Sequence, residues 1–147
     1  MIIIIKFFII TFPLFAVNLY PQTERYTKGA ENGYAWMSMD DPALMYSTSK
    51  ENYLNSILDR LRLTNEKHPE IASLSCKEDI NKLSIEGKSD KISITDVVSE
   101  MDKFYSQNDN LIIPIIFAYC YTIKTFAGAS TKELNDYKDE VLLFCYE

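Results

Sequence analysis

The chain has 147 residues, of which 47% are apolar, and it carries a net charge of −6. This length and composition predict one packed domain with one hydrophobic core, and they argue against an intrinsically disordered chain. The acidic balance disfavours binding to nucleic acids and to anionic lipid surfaces, because both partners need a basic face on the protein.

The first segment, MIIIIKFFIITFPLFAV, contains a lysine and no acidic residue. Its apolar part has the length of a signal-peptide core and is too short to cross a bilayer by itself. We therefore interpret residues 1–18 as an export signal, residues 19–29 as a linker and residues 30–147 as the folded domain. The alternatives are an uncleaved anchor and a buried helix, so contact with a membrane is expected only if this segment is not removed.

Apolar residues recur with a helical period along most of the domain, and helix-capping residues separate the runs. Asp41-Pro42 is typical of a helix start, while Ser93-x-x-Asp96 and Ser130-x-x-Glu133 have the pattern of a capping box. The predicted fold class is all-α, a compact bundle of four to five helices after the signal segment. The main helices are predicted at 42–63, 94–105, 111–127 and from the Ser130 capping box onward, with short helices at 30–39 and 69–83.

A cluster of polar residues, Ser106–Asn110, lies between two of these helices. Asparagine and aspartate side chains hydrogen-bond to nearby backbone and suit turns, and Pro114 fits the first turn of the next helix. We therefore interpret the cluster as a helix–helix connection rather than an active site. The run that follows, residues 112–126, is apolar on most faces and is predicted to be the central, most buried helix.

Export would place the cysteines in an oxidising compartment, where disulfides form. They are Cys76, Cys120 and Cys145. One disulfide and one free thiol is the simplest arrangement, but the spacing does not indicate which two cysteines pair. Three buried thiols that pack as small apolar side chains are the alternative.

Residues suited to catalysis or metal binding are sparse. The chain has 1 histidine. It is His68, which lies beside Pro69, a position typical of a helix end at the surface. Scattered cysteines with one histidine make a poor zinc site, and the turn 108–110 lacks the glycine and distal glutamate of a calcium loop. We therefore expect a non-enzymatic protein with no catalytic residue, no metal and no cofactor, and we keep a small carboxylate-based hydrolase as a lesser alternative.

Surface contacts are the remaining candidates for a functional site. Trp36, with Tyr34 and Met37, is predicted to contribute to a contact patch, since aromatic residues anchor interfaces. The alternative is that these residues close the core. The candidate binding residues are Trp36, Asp40, Asp41 and Asn108.

Several short motifs occur in an order that resembles a known family. They are Asn32-Gly33-Tyr34-Ala35-Trp36, Tyr53-Leu54, Ser93, Phe104-Tyr105, Ile113-Pro114-Ile115 and Gly128-Ala129-Ser130. Over about residues 32–142 the chain is similar to the small secreted amidase-immunity (Tai-type) proteins of type VI secretion and to related uncharacterised envelope proteins. Where the family often has glycines in its first long helix, this chain has Asn55, Ser56 and Arg60.

This resemblance implies an all-helical, often dimeric periplasmic protein that, in characterised members, binds a peptidoglycan-amidase toxin and blocks its active site. The resulting hypothesis is an exported binding protein with a protein partner, an amidase effector, and without affinity for nucleic acid. A homodimer is part of that expectation. The alternative is a structural or scaffolding envelope protein with a different partner.

Overall fold

The computed structural model of the chain describes residues 22–40, 49–64 and 75–147. The predicted signal segment 1–18, the Asp41-Pro42 helix start and His68 lie outside the described residues. The described part is mostly helical, which confirms the predicted fold class at that level, and it adds a small antiparallel strand pair.

The described elements follow one another in a simple order. The chain passes through a 3₁₀ turn, two short strands and then the helices. The strands are β1, Tyr26–Thr27, and β2, Ala30–Glu31. The helices are α1, Gly33–Met37; α2, Lys50–Thr64; α3, Lys77–Ile85; α4, Ile94–Tyr105; α5, Ile115–Phe126; and α6, Thr131–Tyr146. The 3₁₀ turns are Gln22–Arg25, Ser89–Lys91 and Asn108–Asn110.

Strands β1 and β2 form a hairpin in a region where the sequence predicts a linker and the start of a short helix. Lys28 and Gly29 in its turn have positive φ angles of 52° and 79°. A two-residue hairpin turn of type I′ requires positive φ angles at both of its central residues. The Thr27 hydroxyl donates a hydrogen bond to the Ile112 carbonyl oxygen at 2.6 Å and so attaches the hairpin to the helical body. Strands this short show no alternation of apolar and polar residues, which is why the pattern did not predict them.

Both predicted capping boxes are present, and they determine where α4 and α6 begin. The Ser93 N–H donates to Asp96 Oδ2 at 2.8 Å, and the Asp96 N–H donates to Ser93 Oγ at 3.1 Å. Ser130 and Glu133 make the same reciprocal pair at the start of α6. The bounds of α4 equal the predicted ones, whereas α5 begins later than predicted because Pro114 occupies the position before its first turn.

Helix α5 lies at the centre of the fold, as its apolar sequence predicts. It contacts α3, α4 and α6, while α1 and α2 pack on α4. Its buried residues are Ile115, Phe117, Ala118, Tyr119, Cys120, Thr122 and Ile123. The core is therefore organised around this one helix, and α4 connects it to the N-terminal elements.

A disulfide joins Cys76, at the start of α3, to Cys120 in α5, with a Cα–Cα distance of 5.1 Å. This confirms the arrangement of one disulfide and one free thiol, and it gives the pairing that the sequence left open. The free thiol is Cys145 near the end of α6, and burial raises its pKa to about 11. At neutral pH this thiol is protonated and therefore a poor nucleophile. Among the described helices, none has both the length and the apolar character that a membrane span needs.

Candidate binding site

Trp36 is fully buried, with 0% of its surface exposed. Its indole Nε1–H donates to Asp102 Oδ1 on α4 at 2.7 Å, and Lys50 Nζ on α2 donates to the same oxygen at 2.8 Å. The Lys50 ammonium also lies 5.4 Å from the centre of the indole ring, within the range of a cation–π interaction. Trp36 therefore joins α1, α2 and α4 in the core, and it has no exposed surface to offer to a partner.

The glycine and asparagine that precede Trp36 are also structural. A Cβ atom at Gly33 would lie 2.5 Å from Tyr105 Cδ1 and 2.8 Å from Leu111 Cα, so only glycine fits there. Asn32 is 2% exposed. Its side-chain amide donates to the Glu24 carbonyl oxygen at 2.8 Å and accepts from the backbone of α1 at 3.0 Å. We call Asn32, Gly33, Trp36, Asp102 and Tyr105 the α1 anchor.

The other candidate binding residues lie apart from the α1 anchor. Asp40 is exposed, and its Oδ1 accepts a hydrogen bond at 3.3 Å from the backbone N–H of Lys50, the first residue of α2. Asp41 lies outside the described residues. Asn108 is exposed in the 3₁₀ turn that ends the polar cluster between α4 and α5. The structure therefore does not bring the predicted residues together into one site.

A cleft of about 290 Å³ opens beside the turn that contains Asn108. Helices α4 and α6 both pack against α5, and residues of all three helices and of the turn line the cleft. We call this set the polar cleft: Glu100, Lys103, Phe104, Gln107, Asn110, Tyr121, Asn135 and Lys138. This volume lies just below the usual range for ligand pockets, about 300–1,000 Å³, and it fits one side chain or a small molecule.

The two lysines of the polar cleft differ in their surroundings. Lys103 Nζ forms an ion pair with Glu100 Oε2 at 2.9 Å, one turn away on α4. Lys138 on α6 is half-buried, and no carboxylate among the described residues lies within ion-pair distance of its ammonium. The polar cleft therefore contains one neutralised cation and one cation without a counterion in the described structure.

Two aromatic rings and one amide complete the wall of the cleft. The rings of Phe104 and Tyr121 lie 4.7 Å apart between centroids. Burial, with the nearby Glu100 carboxylate as a smaller cause, raises the pKa of the Tyr121 hydroxyl, which stays a neutral hydrogen-bonding group. Asn110 is 2% exposed; its Nδ2 donates to the Phe104 carbonyl oxygen at 2.7 Å, and its Oδ1 has no partner among the described residues.

The hydrogen bond to the Phe104 carbonyl oxygen defines the orientation of the Asn110 amide. A flipped amide would place Oδ1 against the Phe104 carbonyl, so that two acceptors would face each other. The acceptor without a partner is therefore Oδ1. A buried unpaired acceptor costs about 1–3 kcal/mol, and in folded proteins such atoms usually have a partner from the protein or from ordered water.

Of the polar cleft, sequence reasoning identified only the neighbouring turn. The signals for the rest are present but weak. Glu100, Lys103 and Phe104 recur at three- and four-residue spacing on one face of α4, and Asn135 and Lys138 are three residues apart on α6. Gln107 follows in the connection after α4. The sequence does not show that these two faces lie on either side of α5, so it could not combine them into one site.

Comparison of the chain with known protein families, with curated proteins and with solved structures gave no match in any of the three. The polar cleft and the α1 anchor are therefore interpreted from their own chemistry.

Proposed function

We propose that the chain is an exported, non-enzymatic binding protein that captures a protein partner at the polar cleft and the adjoining turn. The observation that carries the proposal is the surface cleft whose wall contains Lys138, which forms no ion pair with the described residues. Polar groups left unpaired at a concave surface favour a bound group that supplies the missing charge or hydrogen-bond partner. The exposed Asn108 and Gln107 beside the cleft offer further hydrogen bonds to the same partner.

Export is the second part of the proposal. The disulfide between Cys76 and Cys120 is compatible with a periplasmic or extracellular location, because disulfides persist in oxidising compartments. The apolar N-terminal segment is typical of an export signal. In the proposed mature protein, the helices form a compact bundle that begins after this segment.

The proposed partner is a cell-wall amidase, and the chain acts as its immunity protein in the periplasm. The order of the short motifs supports this identity by resemblance. The net charge of −6 supports it electrostatically if the amidase is basic, since opposite net charges accelerate encounter. The α1 anchor contributes through stability of the fold, and the polar cleft contributes the contact.

A capture experiment tests this proposal. The oxidised chain, without residues 1–18, is immobilised and exposed to envelope extract from cells that carry amidase toxins, and captured amidase activity on peptidoglycan is measured. Asn135→Arg fills the polar cleft with a large cation and should abolish capture. Asn81→Arg, an exposed asparagine on α3 outside the cleft, is the matched control and should capture normally. Capture that is absent with the unmodified chain, or equal in both variants, would refute the proposal.

A further inference from the structure

The polar cleft contains an unusual combination of groups for a surface of an acidic protein. Its single carboxylate, Glu100, is engaged by Lys103, so it does not neutralise the second lysine. The side chains of Gln107 and Asn135 form no hydrogen bond with the described residues. The cleft therefore combines a cation at Lys138 with amide groups that both donate and accept.

We propose that the polar cleft binds a peptide carboxylate, from either an acidic side chain or the C-terminus of the partner chain. This inference rests on the proposed function in one respect, that the cleft receives a residue of a protein partner. The Lys138 ammonium pairs with the carboxylate, and the amide groups of Gln107 and Asn135 donate to its oxygens. Hydrogen bonds between charged groups are stronger than neutral ones, so this contact would dominate the affinity.

Asn110 is buried in the wall of the cleft, and its amide donates to the Phe104 carbonyl oxygen. The exposed amide groups of Gln107 and Asn135 are therefore the ones that a peptide carboxylate reaches. The cleft volume of about 290 Å³ accommodates a single residue of this kind, so we expect one inserted residue rather than a long groove-bound segment.

The experiment is an NMR titration of the oxidised, ¹⁵N-labelled chain with three short peptides. Acetyl-Ala-Glu-Ala-amide presents a side-chain carboxylate, acetyl-Ala-Ala with a free C-terminus presents a terminal one, and acetyl-Ala-Gln-Ala-amide presents neither. At least one of the two peptides that carry a carboxylate should shift the backbone signals of residues 103–110 and the side-chain amide signal of Asn110, whereas the neutral peptide should not. The tighter of these two acidic peptides shows whether the carboxylate comes from a side chain or from a C-terminus.

Lys138→Gln should weaken binding of that acid about tenfold or more, because it removes the cleft cation that forms no ion pair with the described part of the chain. Lys132→Gln is the matched control on the same helix, where Lys132 is exposed and paired with Asp136, and it should leave the affinity unchanged. The binding of the acidic peptide should also weaken as the NaCl concentration is raised.

Three results would overturn the inference: equal binding of the neutral peptide, no binding of either acidic peptide, or equal affinity in the Lys138 and Lys132 variants. A soluble saccharide such as N-acetylglucosamine that shifts these signals while the acids do not would also overturn it.

These outcomes separate the inference from the proposed function. Amidase capture that survives Lys138→Gln but is lost with Asn135→Arg would keep the binding function and reject the carboxylate. Peptide binding that depends on Lys138, combined with no capture of amidase, would keep the carboxylate site and reject the immunity function.

Discussion

The α1 anchor and the polar cleft use different residues of the same helix, α4, and they differ in how completely their polar groups are paired. In the anchor, the Trp36 indole and the Asn32 amide are hydrogen-bonded, and the Tyr105 hydroxyl donates to the Ile113 carbonyl oxygen at 2.9 Å. In the cleft, the Lys138 ammonium forms no ion pair with the described residues, and the exposed side chains of Gln107 and Asn135 form no hydrogen bond with them. Fully satisfied buried groups specify the fold, whereas unpaired groups at a concave surface are free to bind. We therefore assign stability of the fold to the α1 anchor and binding of a partner to the polar cleft.

Trp36→Ala should produce the largest loss of stability and so tests the anchor most directly. Removal of a large buried aromatic side chain costs about 3–5 kcal/mol of unfolding free energy. It also leaves Asp102 without the indole donor. Urea unfolding followed by circular dichroism measures the change. Lys138→Gln is the control from the cleft, and we expect it to shift the unfolding free energy by less than about 0.5 kcal/mol. Equal stability of the two variants would contradict the division between anchor and cleft.

Reduction of the disulfide should have the next largest effect and should act on the side of the molecule that includes the cleft. Cys76 and Cys120 are separated by 44 positions, and the loop-entropy relation gives a stabilisation of about 4 kcal/mol for a closed loop of this size. Urea unfolding with and without reductant measures the loss, with Cys145→Ser as the background that removes the free thiol. Because Cys120 precedes the cleft residue Tyr121, amide exchange should rise in α3 and α5 before it rises in α1. A reduced chain with the unfolding midpoint of the oxidised one would refute this expectation.

Gly33→Ala sharpens the comparison by testing one contact within the anchor. The added Cβ would meet the Tyr105 ring at 2.5 Å and the Leu111 Cα at 2.8 Å, so both the ring and the backbone must shift relative to residue 33. Overpacking of this kind costs about 1–3 kcal/mol. In a Tyr105→Leu background the ring is absent, and the same glycine substitution should cost less. Additive effects of the two substitutions would show that the ring contact is not the cause.

The two regions also differ in how much of each could be predicted from the sequence. The bounds of α4 and the start of α6 were predicted correctly, because a capping box is a local signal carried by four consecutive residues. The central position of α5 was predicted because its apolar residues cover most of its faces. The role of Trp36 stayed ambiguous, since its hydrogen-bond partner Asp102 lies 66 positions away and no local pattern links the two.

The polar cleft was beyond sequence reasoning for a related physical reason. Its residues come from α4, the following turn, α5 and α6, and each set alone is typical of a solvated helix face or a helix end. The prediction that Ser106–Asn110 connects two helices agrees with the structure, which places a 3₁₀ turn within it. What the sequence could not show is that this connection also forms part of the wall of a cavity.

Asp96→Asn should have the smallest effect and tests α4 as a whole, since both regions depend on that helix. The hydroxyl and then the backbone N–H of Ser93 donate to the Asp96 carboxylate, and together they hold its pKa below the usual value. A lowered folded-state pKa stabilises the protein above the unfolded-state pKa of about 3.9, and this contribution is lost as the pH falls through the folded-state pKa.

At pH 7 the Asp96→Asn variant should therefore be less stable than the unmodified chain, and the difference in unfolding free energy should shrink as the pH is lowered below about 4. Asp139→Asn, which removes an exposed α6 carboxylate that forms no ion pair with the described residues, is the control for the loss of one negative charge. The stability difference between the Asp96→Asn variant and the unmodified chain could instead stay constant down to the acid transition. That result would mean that the charge of Asp96 does not stabilise the start of α4.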